Sequence, residues 1–377
     1  MDFSMLRTFL DTLPEHSIPG VDMTVYIKHK PVFRHSAGFK DLTNQIPVQR
    51  NETYFGYSVT KPLTCVCALS LMETGAFLMT DPLYEYLPEF KDMYVLETDE
   101  KGNERVRPAK NPIRIRDLFT MTAGFDYNIS TPEIKKVLEE TNRDAPTREI
   151  VKAIAKRPLS FDPGTRWQYS LCHDVLGALI EEVAGMRFST YMKKHLFERL
   201  DMSSSAMHIT PALESRMAEQ YRNVDGCVTH IEKKAAHVLG PLYDSGGAGL
   251  ITSVDDYIRF ADALACGGTG ITGERILSRA SIDLMRTNHL NDVQRKDFNW
   301  IQMTGYGYGL GVRTMMDKTC GALSPVGEFG WGGAAGAYVL IDPERELSAY
   351  FAEHMLNSLE PYVHPRLRNI LYACLEA

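Results

Sequence analysis

The clearest alternation of apolar and polar positions comes early. VDMTVYIKHKPVFRHSAGFKD, Val21 to Asp41, changes character residue by residue on both sides of His29-Lys30-Pro31, which predicts two strands joined as a hairpin. From Pro62 to Glu73 the pattern is different. PLTCVCALSLME is apolar or small throughout and is followed by Gly75, as expected of a buried helix with a glycine stop. Val175, Leu176, Leu179, Ile180 and Val183 form a helical stripe closed by Gly185. Between residue 80 and the mid-230s, short helical patterns broken by prolines dominate. VDDYIRFADALACGG then predicts a helix ending at Gly267-Gly268, and YGYGLGVRT, GAYVLIDP and ELSAYFAEH predict strands.

Strands at both ends with helices between them predict an α/β chain of the α+β type, in which the terminal segments share one sheet. The expected division is a sheet subdomain, residues 1–57 and 238–377, and a mainly helical subdomain, residues 58–237. There is no internal repeat and no low-complexity linker.

The length of 377 residues, with 44% hydrophobic and 24% charged positions, is enough for a large core. A net charge of −7 and no basic block interleaved with aromatics argue against nucleic acid as a partner. No run approaches the roughly 20 apolar residues of a membrane span. Arg7 and Asp11 interrupt what would have to be the apolar part of a secretory leader. The seven cysteines are scattered without a CxxC pair, which suggests reduced thiols and a cytoplasmic location. Neither HExxH nor paired Cys/His spacing occurs, so no metal and no cofactor is expected.

Three segments carry candidate chemistry. In GYSVTKPLTCVC, Ser58 and Lys61 stand three residues apart at the start of the predicted helix, so their side chains share a face if the turn is helical. A serine hydroxyl is a weak nucleophile; a neighbouring lysine, desolvated so that its pKa falls, can take its proton. About one S-x-x-K is expected by chance in a chain this long, and this is the single occurrence. In FDPGTRWQYSLCHDVLGALIEEVAG, Tyr169 falls just ahead of a helix N-terminus, where the macrodipole favours negative charge. It could relay a proton, or it could be a buried tyrosine with a bonded hydroxyl. In EFGWGGAAGAYVLIDPE, the glycines around Trp331 permit close backbone approach, and the Ala334 N–H could join that of Ser58 in holding an oxyanion. A glycine-rich bulge without function would have the same sequence. GTGITG, Gly268 to Gly273, matches GxGxxG but follows a helix instead of a strand, so it is expected to be a turn. Neither GxxxxGK[ST] nor GxSxG occurs, which disfavours a P-loop ATPase and an ordinary α/β-hydrolase.

Taken in order, the three segments resemble the serine β-lactamases of class C and their relatives, the DD-peptidases, D-aminopeptidases and family VIII carboxylesterases. TDPLYEYLPEF, IRIRDLFTMTAGF, LFERLDM, GGAGLITSVDDYIRFADALACGG and YGYGLGV extend the resemblance over most of the chain. It implies a β-lactamase/penicillin-binding-protein-like fold, with an antiparallel sheet flanked by helices. It also implies that Ser58 is acylated, that Lys61 and Tyr169 move protons, and that Trp331, Gly332 and Gly333 stand where a Lys-Thr-Gly strand lines the pocket. Tyr169-Ser170-Leu171 replaces the family's Tyr-x-Asn, and Trp331 replaces its lysine, so an amide partner and a carboxylate partner are both missing. These departures are similar to family VIII esterases and imply small neutral esters as substrates. Tyr127 and Tyr243, together with Phe125, Trp300 and Tyr308, are candidates for the acyl pocket. Acyl transfer, weak β-lactam or D-amino-acid peptide hydrolysis, and a non-catalytic binding protein of the same fold remain alternatives.

Overall fold

The computed structural model describes residues 1–99, 101–235 and 237–376. Its centre is an eight-stranded sheet in which every neighbouring pair is antiparallel. The spatial order is Tyr306–Tyr308, Arg313–Met315, Phe329–Gly332, Tyr338–Asp342, Leu347–Ala352, Gly20–Ile27, Lys30–Asp41 and Ile46–Pro47. The two chain ends therefore meet edge to edge, with Met23 opposite Phe351 and Val25 opposite Ala349. The expected hairpin forms, but its turn lies one residue earlier, at Lys28 and His29, whose φ angles of 51° and 65° are those of a tight hairpin turn. YGYGLGVRT also differs from expectation. It is two short strands with a tight reversal, closed by the Gly309 N–H donating to the Val312 carbonyl at 2.7 Å.

Strand alternation determines how the sheet is covered. Val21, Met23, Val25, Leu340, Leu347, Ala349 and Phe351 point to one face, where they pack with Leu6 and Leu10 of the Ser4–Thr12 helix and Leu367 and Leu371 of the Glu360–Glu376 helix. Val339, Ile341, Tyr350 and Ala352 point to the other, against the Val254–Ala265 helix and the main core. The result is a helix–sheet–helix sandwich.

On the second side stands the helical region, built around two helices packed against each other, Thr60–Met72 and Cys172–Ala184. Thr60–Met72 is buried on all sides, which explains its unbroken apolar text. Cys172–Ala184 ends where its stripe predicts, at Gly185 with φ 63°. The region is not purely helical. It also contains the hairpins Tyr94–Thr98/Glu104–Pro108 and Gln220–Val224/Cys227–Ile231, and the second pairs in parallel with Met355–Leu356 from the C-terminal part of the chain. Gly268 to Gly273 is a turn, as expected, held by Gly273 N–H to Gly270 O at 2.9 Å.

Candidate active site

Ser58 lies on a 3-10 turn, Tyr57–Val59, that runs directly into the Thr60–Met72 helix. Cross-links from outside the helix hold this turn. The Gly56 N–H donates to Leu250 O at 2.8 Å, the Leu250 N–H donates to Thr60 Oγ1 at 3.0 Å, and Tyr257 Oη donates to Val59 O at 2.8 Å. Tyr57, the residue before the serine, has φ 49°, a conformation costing on the order of 1 kcal/mol for a residue with a Cβ. Its ring is buried and its hydroxyl accepts from Gln220 Nε2, so packing sustains the strain.

One helical turn on, Lys61 is completely buried. Its ammonium donates to Ser58 Oγ at 3.1 Å, to the Gly247 carbonyl at 2.8 Å and to Tyr127 Oη at 3.3 Å. From a distant loop, Tyr169 Oη donates to the same Ser58 Oγ at 2.6 Å. That loop is fastened by Gln168 N–H to Met121 O at 3.0 Å and by Leu171 N–H to Asp126 O at 3.0 Å. The Tyr169 ring stacks on Tyr127 at 5.1 Å on one side and on Trp331 at 5.9 Å on the other, with Lys61 Nζ 4.5 Å from its centroid. Ser58, Lys61 and Tyr169 are thus brought together.

Burial is the largest influence on the Lys61 pKa and acts to lower it. The phenolic oxygens of Tyr127 and Tyr169, and beyond them the Asp174 carboxylate, outweigh it and hold the ammonium above its ordinary value. The outcome differs from the lowered lysine expected of simple desolvation, because the folded chain surrounds Nζ with acceptors. Burial likewise raises the Tyr127 hydroxyl.

A hollow of about 130 Å³ opens onto Ser58, walled by Tyr169, Trp300, Met303, Trp331, the Gly332–Ala334 backbone and Glu360. Gly333 meets the turn that bears Ser58 so closely that a Cβ there would stand 2.3 Å from the Gly56 carbonyl oxygen. The chain then reverses, with Gly333 N–H to Ala337 O and Gly336 N–H to Gly333 O both at 2.8 Å. Among the described residues neither the Ser58 nor the Ala334 N–H meets a protein acceptor.

The other candidates fall in different places. Tyr127 touches Lys61 behind the hollow. Tyr243 is buried and donates to Asp174 at 2.6 Å. Ser245 Oγ donates to the same oxygen at 2.7 Å. Phe125 belongs to the core, Tyr308 packs edge-on to Trp331 at 5.1 Å, and Leu171 is buried away from the opening. The sequence did not single out the Gly247 carbonyl, Asp174, Met303 or Glu360. Only Asp174 left a trace, as a buried acid in the first turn of the helix. Among the described residues, one set of potential metal ligands converges, His29, Asp262 and Cys266, with donor atoms within 4.8 Å. It joins the hairpin turn to the end of the Val254–Ala265 helix through a 2.6 Å His29–Asp262 hydrogen bond, and none of its members lines the hollow.

A model of the beta-lactamase family matches residues 6–374. The chain belongs to that family. Esterase EstB of Burkholderia gladioli is 26% identical over 363 residues, covering 90% of this chain and 87% of the relative. Simvastatin synthase from Aspergillus terreus superposes with a TM-score of 0.81 at 21% identity, over 99% of this chain and 98% of its own. EstCE1, a hydrolase with promiscuous acyltransferase activity, superposes with a TM-score of 0.78 at 21% identity, over 100% and 98%. The fold is therefore β-lactamase/penicillin-binding-protein-like, and the family relatives include esterases and acyltransferases.

Proposed function

We propose that the chain is a serine hydrolase that cleaves small carboxylic esters through an acyl-enzyme on Ser58. The observation that carries this proposal is the convergence of Tyr169 Oη and Lys61 Nζ on Ser58 Oγ, at the floor of a hollow large enough for a small ester.

In the proposed cycle the reactive form of the Lys61–Tyr169 pair has released to solvent one of the two protons it holds when both groups donate to Ser58, leaving either ammonium with phenolate or amine with phenol. The pair takes the Ser58 proton as Oγ attacks the ester carbonyl. The Ser58 and Ala334 N–H groups, both without a protein acceptor, hold the resulting oxyanion. Tyr169, the member facing the hollow, gives the proton to the departing alcohol. A water molecule then enters, yields a proton to the pair and attacks the acyl carbonyl; the proton returns to Ser58 Oγ as the acid leaves. Lys61 contributes charge as well as a proton site, since its ammonium offsets the charge of the Tyr169 phenolate in the first of these forms. Trp331, in place of a lysine, removes the partner for a substrate carboxylate and favours esters over penicillins and peptide C-termini.

The test is Ser58→Ala assayed with p-nitrophenyl acetate and butyrate. A fall in kcat of three or more powers of ten is expected, together with loss of fluorophosphonate labelling. Unchanged hydrolysis would end the proposal. The acyltransferase activity named for EstCE1 supports a second outcome from the same acyl-enzyme, capture by an alcohol, which product analysis with an added alcohol would reveal.

A further inference from the structure

The hollow contains one ionisable group that the proposed chemistry does not use. Glu360 begins the C-terminal helix and lines the same hollow as Ser58. Its one protein hydrogen bond is weak, Gln302 Nε2 donating to Oε2 at 3.4 Å. Among the described residues Oε1 has no donor. Among the described residues no lysine or arginine pairs with Glu360, and the neighbouring Glu353, fully buried with its own pKa pushed far up, supplies no countercharge. Burial pushes the Glu360 carboxyl up to about 7. Its place in the first turn of the helix gives the carboxylate the favourable end of the macrodipole but no paired cation, and a positive ligand in the hollow would supply one.

The rest of the wall points the same way. Trp300 and Trp331 both line the hollow; Trp331 is buried with Tyr169 stacked on it at 5.9 Å and Phe298 at 6.4 Å, which leaves the half-buried Trp300 as the indole more accessible from the hollow. Indole faces attract cations within about 6 Å, and an ammonium placed between an indole and a carboxylate is held by both. No cationic side chain lines the hollow to compete, since Lys61 sits behind Ser58 and Tyr169.

We infer that Glu360, with Trp300, forms a subsite for a positively charged ammonium group, so that the preferred esters carry such a group on their acyl or alcohol part. This inference rests on the acyl-enzyme reading above for the word ester, but the subsite stands on its own geometry. It refines the neutral-ester expectation: anionic substrates remain excluded, and the favoured charge is positive.

The experiment compares acetylcholine with its uncharged carbon isostere, 3,3-dimethylbutyl acetate, at pH 8, where the carboxyl is ionised. Binding of butyltrimethylammonium and of an uncharged alkyl isostere is followed in parallel by tryptophan fluorescence. The expected result is a kcat/KM ratio of about ten or more in favour of the cationic ester, falling to near one in Glu360→Gln, with the ammonium probe binding more tightly than its isostere. A ratio near one in the parent enzyme, or the same ratio in the variant, would overturn the subsite while leaving the esterase reading in place. If neither ester is cleaved, the esterase reading fails, and preferential binding of the ammonium probe still decides the subsite. Equal binding of the two probes in the parent overturns it without recourse to any variant.

Discussion

Tyr169 Oη donates a 2.6 Å hydrogen bond to Ser58 Oγ across 111 residues of chain. The two stand on separate parts of the helical region, the tyrosine on a loop ahead of one core helix and the serine at the start of the other. Because these helices pack against each other, the contact is as rigid as the core beneath it. Tyr169→Phe keeps the stacking on Tyr127 and Trp331 and removes the oxygen alone. Its kcat for p-nitrophenyl butyrate should fall by two to four powers of ten, with KM much less affected, because a proton-transfer group has been lost and the pocket wall has not.

Tyr127 tests whether the support of Lys61 matters. Its hydroxyl accepts from Lys61 Nζ, and Tyr127→Phe leaves the ammonium with Ser58 Oγ and the Gly247 carbonyl. A loss in kcat of roughly tenfold is expected, smaller than for Tyr169→Phe, accompanied by a shift in the pH–rate profile that a purely structural role would not produce. Equal losses in the two variants would place Tyr127 in the proton path itself.

Gly333 should tolerate no side chain. An added methyl group would lie 2.3 Å from the Gly56 carbonyl, so Gly333→Ala must push apart the strand end and the nucleophile's turn. A destabilisation of roughly 1–3 kcal/mol is expected, visible as a lower thermal midpoint, with a larger proportional loss of esterase activity as the oxyanion donors separate. Normal activity in this variant would mean that the turn need not be held against Ser58.

His354 links stability to pH. It is buried, with Nδ1 donating to the Ala218 carbonyl at 3.0 Å and Nε2 accepting from the Phe55 N–H at 3.2 Å. A second ring proton would face an N–H, and burial pushes the imidazole down to about 4 from an ordinary 6.5. The unfolded chain therefore binds the proton more readily between pH 6.5 and 4. Stability from this group is complete above pH 6.5, declines as the pH falls through that window and is gone below about 4, a total of roughly 3 kcal/mol. Urea midpoints at pH 7 and pH 5 should differ more for the parent than for His354→Gln, whose amide can serve both partners without titrating. Identical pH dependence in the two would remove His354 from the account.

Substrate charge offers a check on the strand at Trp331. With no lysine there and Leu171 turned into the core, nitrocefin should be turned over at least about a hundredfold less efficiently than p-nitrophenyl butyrate, measured as kcat/KM. Comparable rates would show that a carboxylate is accommodated without the missing cation.

The first hairpin, the late strands, the two core helices, the Val254–Ala265 helix and the pairing of Ser58 with Lys61 were legible because they depend on near neighbours, whereas the Glu360–Glu376 helix, interrupted by Pro365, was not. Alternation of apolar residues orients a strand, an apolar stripe orients a helix, and a spacing of three places two side chains on one helical face whatever surrounds them. Tyr169 and the Trp331 segment could be named from their motifs, but their arrival at Ser58 depends on how two helices and a sheet edge pack. Tyr243 differs from expectation for the same reason: named for the acyl pocket, it turns its hydroxyl inward to Asp174.

What the chain determined by itself was the local chemistry, a hydroxyl and an amine one helical turn apart. Tertiary structure alone decided that acceptors from three other segments gather round that amine and raise its pKa, and that a glutamate from the start of the last helix lines the same hollow as the nucleophile. Desolvation and charge neighbourhood are sums over everything that packs nearby, and the order of residues along the chain does not contain those sums until the chain has folded.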